Sequence, residues 1–216
     1  MIETFDRKVN YGSIGTLKWP VGDTGAYDGP MADWQHNIET ILQNVKDFNV
    51  VVQAGGCCGL YPLLYSKFFK KVHTFEPSPD NFYCLELNCK SQPNITYANV
   101  ALHDTETFCY MSTGERGNVG VHHITKVDQG NIRTRTIDSL NLEHCDLIHL
   151  DVEGHEIYIL RGAEKTIKKF SPVIVLEDNK RACAVTLNQL GYNYYKELKH
   201  DILYRNVQTG HLEECK

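Results

Sequence analysis

Apolar positions first recur at helical spacing between residues 33 and 48. Ile38, Ile41, Leu42, Val45 and Phe48 share one face there, behind Asp33, a residue type that caps helix N-termini. Beyond residue 48 the pattern alternates. Residues 49–54, "NVVVQA", form a short β-branched run suited to a strand buried on both faces. Residues 60–71 read as a helix that tolerates Pro62 in its first turn, and residues 71–77 as a strand closed by a proline. Residues 78–91 read as a helix with Ser78 at the N-cap and Pro79 at the first helical position. Strands at 94–102, 145–154 and 171–178 follow, with helices at 155–170 and 180–191. Two more strands, 192–198 and 201–207, close the pattern.

Strand and helix in alternation predict an α/β fold with right-handed crossovers and a mostly parallel sheet covered on both faces. The final strand–turn–strand breaks the alternation, so one late strand is expected to run antiparallel. No linker or repeat divides the chain, and residues 1–216 are read as a single domain. The first 33 residues, rich in Gly, Asp and Pro, are expected to be irregular and to offer a lid. Residues 103–135 read as a hairpin-containing excursion. In open sheets of this kind ligands bind beyond the carboxyl ends of the strands. That rule selects residues 53–59, 76–79, 99–104, 151–156 and 177–179.

Composition narrows the function classes. The chain is 42% hydrophobic and 23% charged, with a net charge of -5 and a pI of about 6.0. That balance disfavours a nucleic-acid partner held on a broad basic surface. No apolar run approaches the roughly 20 residues that span a bilayer. The opening "MIETFDRKVNYGS" lacks the pattern of a secretory signal, which predicts a cytoplasmic protein without a membrane partner. Eight cysteines fit neither a disulfide scaffold nor zinc knuckles. Cys57 and Cys58 are adjacent, Cys84 and Cys89 are too far apart, and Cys109, Cys145, Cys183 and Cys215 are scattered. They are read as free thiols.

Chemistry begins at "QAGGCCG". Gly55, Gly56 and Gly59 follow a strand and precede a helix, where glycine permits positive φ and close approach of a ligand to the backbone. Glu76 ends the next strand, the place where nucleotide-binding folds put an acid on ribose hydroxyls. The spacing departs from G-x-G-x-x-G, which suits a nucleoside without a pyrophosphate. The blocks "VVQAGGCCGLYPLLYSK", "VHTFEPSPDNFYCLELN", "NVALHD" and "TRTIDSLNLEHCDLIHLDVEGHEIYILRGAEKTIKKFSPVIVLED" then resemble the FkbM-type family of S-adenosylmethionine-dependent methyltransferases. The resemblance covers about residues 35–180. It implies a Rossmann-like class I methyltransferase fold with a seven-stranded, mostly parallel sheet. It also implies methyl transfer, usually to a hydroxyl oxygen of a sugar or natural product.

By that resemblance Gly55, Gly56 and Gly59 line the methionine end and ribose of the cofactor, and Glu76 binds the ribose hydroxyls. The backbone at Ser78 flanks the adenine, and the stretch from Asn99 to Ala101 covers its other face. Gln53 stands where family members generally carry an acid; its carbonyl oxygen still accepts a hydrogen bond, but it supplies no charge. The sulfonium cofactor is already activated, so the protein must align an acceptor and remove its proton. "DVEGHE" offers Asp151 as first choice of base, then Glu153 and His155. A Mg²⁺ site at Asp151 with Glu177, Asp178 or Asn179 is a less favoured reading. Asn118, His122 and His123 in "RGNVGVHHIT" are candidates for acceptor hydroxyls, with at most one of the histidines expected to face the site. Trp19, Trp34 and His36 are candidates for a lid or for core anchoring. The resulting expectation is O-methylation of a sugar in a glycan or glycosylated small molecule. The alternatives are methylation of another small molecule or a nucleobase, or a nucleoside-binding module that has lost catalysis.

Overall fold

The structure is a computed structural model that describes residues 2–9, 14–23, 31–112, 118, 120, 122–125, 127–177, 183–199 and 201–207, with the backbone alone for 31–36. Two strands open the chain, β1 (Thr4–Val9) and β2 (Gly15–Pro20), paired antiparallel. The expectation of an irregular first 33 residues is therefore corrected. The polar run "DRK" hides a hairpin whose buried residues are Val9, Leu17, Trp19 and Pro20. Helix α1 (Met31–Asn44) starts ahead of Asp33, which lies inside it rather than at its N-cap, and ends short of Phe48.

The central sheet has seven strands, lying side by side in the order 192–197, 202–206, 173–176, 147–150, 50–54, 71–75 and 95–98. Strand β3 (Val50–Ala54) is buried along its whole length, as its β-branched run requires. Helix α2 (Leu60–Tyr65) follows and is shorter than the pattern suggests. Next come β4 (Lys71–Phe75) and α3 (Pro79–Cys89). Ser78 caps α3 by accepting from the Asn81 N–H, and Pro79 takes the first turn. The stretch 94–102 is not one strand. It divides into β5 (Ile95–Ala98) in the main sheet and β6 (Ala101–Leu102) in another.

The excursion forms a four-stranded sheet from β6, β7 (Phe108–Ser112), β8 (His123–Thr125) and β9 (Ile132–Arg135). The chain returns through β10 (Leu147–Leu150). The helix expected over 155–170 is broken into α4 (Glu156–Arg161) and α5 (Glu164–Phe170). At the break, a side chain on Gly162 would meet the His103 carbonyl oxygen at 2.1 Å. Strand β11 (Val173–Leu176), helix α6 (Ala184–Gln189) and strands β12 (Tyr192–Glu197) and β13 (Ile202–Asn206) complete the fold. Strand β13 inserts between β11 and β12 and runs antiparallel to both, which is the reversal the pattern predicts.

One core lies on each face of the sheet. Ile41, Leu63, Tyr65 and Leu85 pack on one side with Val51, Val72, Leu147, Val175 and Leu203. Ile159, Leu160, Ile167 and Leu187 pack on the other with Val52, Ile148, Ile174 and Tyr204. Among the described residues no helix is long and apolar enough to cross a membrane.

Candidate functional site: the carboxyl edge of the sheet

Register decides which residues meet at the edge. Phe75, Ala54, Leu150 and Leu176 are lateral neighbours in the parallel strands. The residue after each therefore falls into one row: Glu76, Gly55, Asp151 and Glu177. The ladder continues into this row, with Gly55 N–H donating to Phe75 O (3.1 Å), Asp151 N–H to Ala54 O (3.1 Å) and Glu177 N–H to Leu150 O (3.0 Å). Strand β13 runs the other way and pairs Ile202 with Leu176, so the residue before it, Asp201, joins the row beside Glu177. One step deeper on the same face lies a second polar row of Thr74, Gln53 and His149. Below that the sheet is apolar.

The glycine loop fits between these strands only as glycine. A Cβ on Gly55 (φ 79°) would stand 1.7 Å from the Asp151 carbonyl oxygen. One on Gly56 would meet the Leu85 side chain at 2.4 Å and the Thr74 hydroxyl at 2.8 Å. Gly59 (φ 96°) precedes α2 in the left-handed conformation that glycine adopts freely. Glu76 ties the loop to the next turn, accepting from Cys57 N–H at 2.7 Å and from Ser78 N–H at 2.8 Å. Each of its oxygens keeps a second lone pair for a ligand donor. Gln53, wholly buried, accepts from the Thr74 hydroxyl at 2.6 Å and donates to the Ala54 and Gly55 carbonyls at 3.1 and 2.9 Å.

These edges enclose a cavity of about 430 Å³, within the size range of small-molecule sites. A sequence profile of the methyltransferase FkbM domain matches residues 61–198, the span that carries Glu76, Asp151 and Glu177. The chain belongs to the FkbM methyltransferase family. No curated protein sequence matches it. The chain is similar in fold to an FkbM methyltransferase of Methylobacillus flagellatus (17% identity, TM-score 0.50), covering 73% of this chain but only 43% of that one. A precorrin-8w decarboxylase of Methanobacterium thermoautotrophicum gives 15% identity and a TM-score of 0.52, over 86% and 96% of the two chains. An rRNA methylase of Streptococcus thermophilus gives 12% and 0.50, over 81% and 96%. Identities this low carry the fold alone. Dependence on S-adenosylmethionine follows from membership of the FkbM family.

Of the residues singled out in the sequence, Gly55, Gly56, Glu76, Ala101, Asn118, His122, His123, Asp151 and Glu153 line the cavity. Gln53, Gly59, Ser78, Asn99 and His155 are not among its walls. Gln53 sits behind the loop and holds its carbonyls. Ser78 and Asn99 hold the turn after β4, Asn99 donating to the carbonyls of Glu76 (2.8 Å) and Pro77 (3.1 Å). Both histidines of the 122–123 pair reach the cavity, against the expectation of at most one. His122 lies ahead of β8, so strand alternation does not turn it away.

His155 precedes α4 and belongs to a different surface. It packs against His103 (4.9 Å between ring centroids) and Tyr158 (4.7 Å), and burial with the His103 charge lowers its pKa to about 4. With His103 and Tyr158 it lines a separate hollow beside the excursion. Trp19 is both wall and core: it is buried, lines the cavity and donates to Asp23 at 2.6 Å. The side chains of Trp34 and His36, and residues Asp178, Asn179 and Cys215, lie outside the described residues. The seven described cysteines are free thiols.

Burial governs the acids. It pushes Glu76 up to about 7 against the pull of its two backbone donors. It pushes Asp151 well above the carboxylate range, reinforced by the charges of Glu177 and Asp201 and a hydrogen bond with Glu177. Glu153 (φ 54°) is raised by partial burial and the Glu177 charge. Carboxylate oxygens of Asp151, Glu153 and Glu177 lie within 4.8 Å of one another, near enough to share a proton or a cation. Tyr61, Asn37 and Asp201 complete this end of the cavity. Sequence reasoning missed all three. For Asp201 the missing signal was direction, since a rule that searches after strands overlooks a residue that precedes a reversed one.

Proposed function

We propose that the chain transfers the methyl group of S-adenosylmethionine to a hydroxyl oxygen of a sugar in a glycan or glycosylated small molecule. The observation that carries the reading is the row Glu76–Gly55–Asp151, which sets a ribose-type acid, a side-chain-free gap and a half-buried carboxyl side by side in one cavity. The residues fit the cofactor: Gly55 and Gly56 leave the room a side chain would fill, and Glu76 has free lone pairs for two ribose hydroxyls. Ala101, with the turn held by Ser78 and Asn99, supplies the adenine end. The bound cofactor would supply an activated methyl group; the protein's task is alignment and proton removal. The acidic end of the cavity, with Asp151, Glu177 and Asp201, supplies the carboxylates from which a base toward a weakly acidic hydroxyl can come.

The excursion brings Asn118, His122 and His123 to the same cavity, where amide and imidazole groups suit neutral polyols. Glu76, Asp151, Glu153, Glu177 and Asp201 line it, with no Lys or Arg among the described walls. This lining disfavours a polyanionic acceptor such as RNA.

Calorimetry with S-adenosylhomocysteine tests the reading. Wild type is expected to bind it, and Glu76→Ala to bind at least tenfold more weakly, the loss of hydrogen bonds to a charged group. No binding to wild type would sink the reading. Methyl transfer to neutral sugars, phosphorylated sugars and a short RNA, with and without a chelator, then separates the acceptor classes.

A further inference from the structure

Asp201 is 4% exposed yet forms part of the cavity wall. Its Oδ2 accepts from the Asn37 side-chain amide at 3.2 Å. Its Oδ1 lies 3.8 Å from Nε2 of His149, whose Nδ1 is 2.8 Å from the Tyr65 hydroxyl. His149 is wholly buried in the sheet face, and the rings of Tyr61 and Tyr65 stand edge-on to it at 4.5 and 5.9 Å. A Tyr65 hydroxyl that donates to Nδ1 leaves the ring proton on Nε2, the nitrogen directed at Asp201. That nitrogen makes no hydrogen bond among the described residues, and the Asp201 carboxylate is the acid it faces. An imidazole buried in an apolar sheet is costly unless both nitrogens are used. At the acceptor end of the row, Asp151 and Glu177 are engaged with each other, whereas Asp201 accepts from the Asn37 amide and has the His149 ring 3.8 Å from its other oxygen.

We propose that Asp201 is the carboxylate that takes the acceptor's proton, with His149 and Asn37 as the residues that position it. This rests on the methyltransferase reading above. In the step, a lone pair of the acceptor oxygen forms the bond to the methyl carbon, and the carbon–sulfur bond breaks with its pair left on sulfur. The O–H proton passes to the Asp201 carboxylate. The Asn37 amide and the His149 ring flank the Asp201 carboxylate and bias its orientation, which favours proton removal in a short-lived alignment.

The test needs no identified acceptor. Sinefungin carries an ammonium group in place of the methylsulfonium, so a carboxylate facing the transfer position favours it over neutral S-adenosylhomocysteine. Wild type is expected to prefer sinefungin. Asp201→Asn is expected to lose about tenfold of that preference, with affinity for S-adenosylhomocysteine within twofold. His149→Leu is expected to lose part of the preference and His149→Gln, which keeps a donor, to retain it. Imidazole NMR of the wild type should show the Nε2–H tautomer at His149, a readout independent of how the variants fold. An unchanged preference in Asp201→Asn, a parallel loss of both ligands, or the Nδ1–H tautomer would overturn the assignment. Failure of wild type to bind S-adenosylhomocysteine would instead remove the underlying methyltransferase reading, and this assignment with it.

Discussion

At Gln53, one amide meets three partners of two kinds. The Thr74 hydroxyl needs an acceptor, and the Ala54 and Gly55 carbonyls need donors. A carboxylate would satisfy the first and face the other two with lone pairs. Gln53→Glu is therefore expected to cost about 1–3 kcal/mol, the penalty for unsatisfied buried groups, read as a lower urea midpoint near neutral pH. The cost should shrink in acid, where the new carboxyl carries a proton; a cost that grew there would contradict the argument. In the sequence Gln53 stands out only through the family resemblance, which leads one to expect an acid there. Its partners were hidden, because Thr74 lies 21 residues away and only strand pairing brings it alongside. Glu76 was readable, since a strand-end acid after a glycine loop is defined by local order.

Elements were legible where periodicity was strong and opaque where a long-range contact overrode it. The stretch 155–170 has an unbroken helical pattern, yet the helix breaks where the Gly162 backbone meets His103. Gly162→Ala is expected to lower stability by roughly 1–3 kcal/mol, as close core contacts do when overpacked, measured by thermal denaturation; an unchanged midpoint would contradict the contact. The N-terminal hairpin escaped notice because its strands are half exposed and its anchor is remote. Asn88 of α3 bonds both the N–H and the C=O of Lys18, and also the Cys58 carbonyl of the glycine loop. Through Asn88 the hairpin buttresses the loop by its backbone, not by its thiols. Cys57→Ala and Cys58→Ala should each keep S-adenosylhomocysteine binding within a few-fold in calorimetry, Cys58→Ala at some cost in stability because that side chain is fully buried.

Over the whole molecule, buried acids and buried histidines act in opposite directions on stability. Glu76 rises from its ordinary 4.5 to about 7, so the folded state holds the proton more tightly than the unfolded chain. Its contribution is full below pH 4.5 and is lost as pH rises through 7. His155 falls from 6.5 to about 4, so its contribution is present above pH 6.5 and lost as pH falls through 4. Glu76→Gln is expected to flatten the decline in unfolding free energy between pH 4.5 and 7 seen in wild-type denaturant titrations. An unaltered slope would show that Glu76 is not the cause. Ribose hydroxyls donate to a carboxylate, so binding of S-adenosylhomocysteine should strengthen over the same interval.

Strand order has a consequence for assembly. Strand β13 lies between β11 and β12, so β12 cannot join the sheet until β13 is seated. Seating β13 is also what carries Asp201 to the edge beside Glu177. A chain arrested before that event could hold the glycine loop and Glu76 in place and still lack one wall of its cavity. Ligand binding at this end of the cavity would then report whether β13 has been seated.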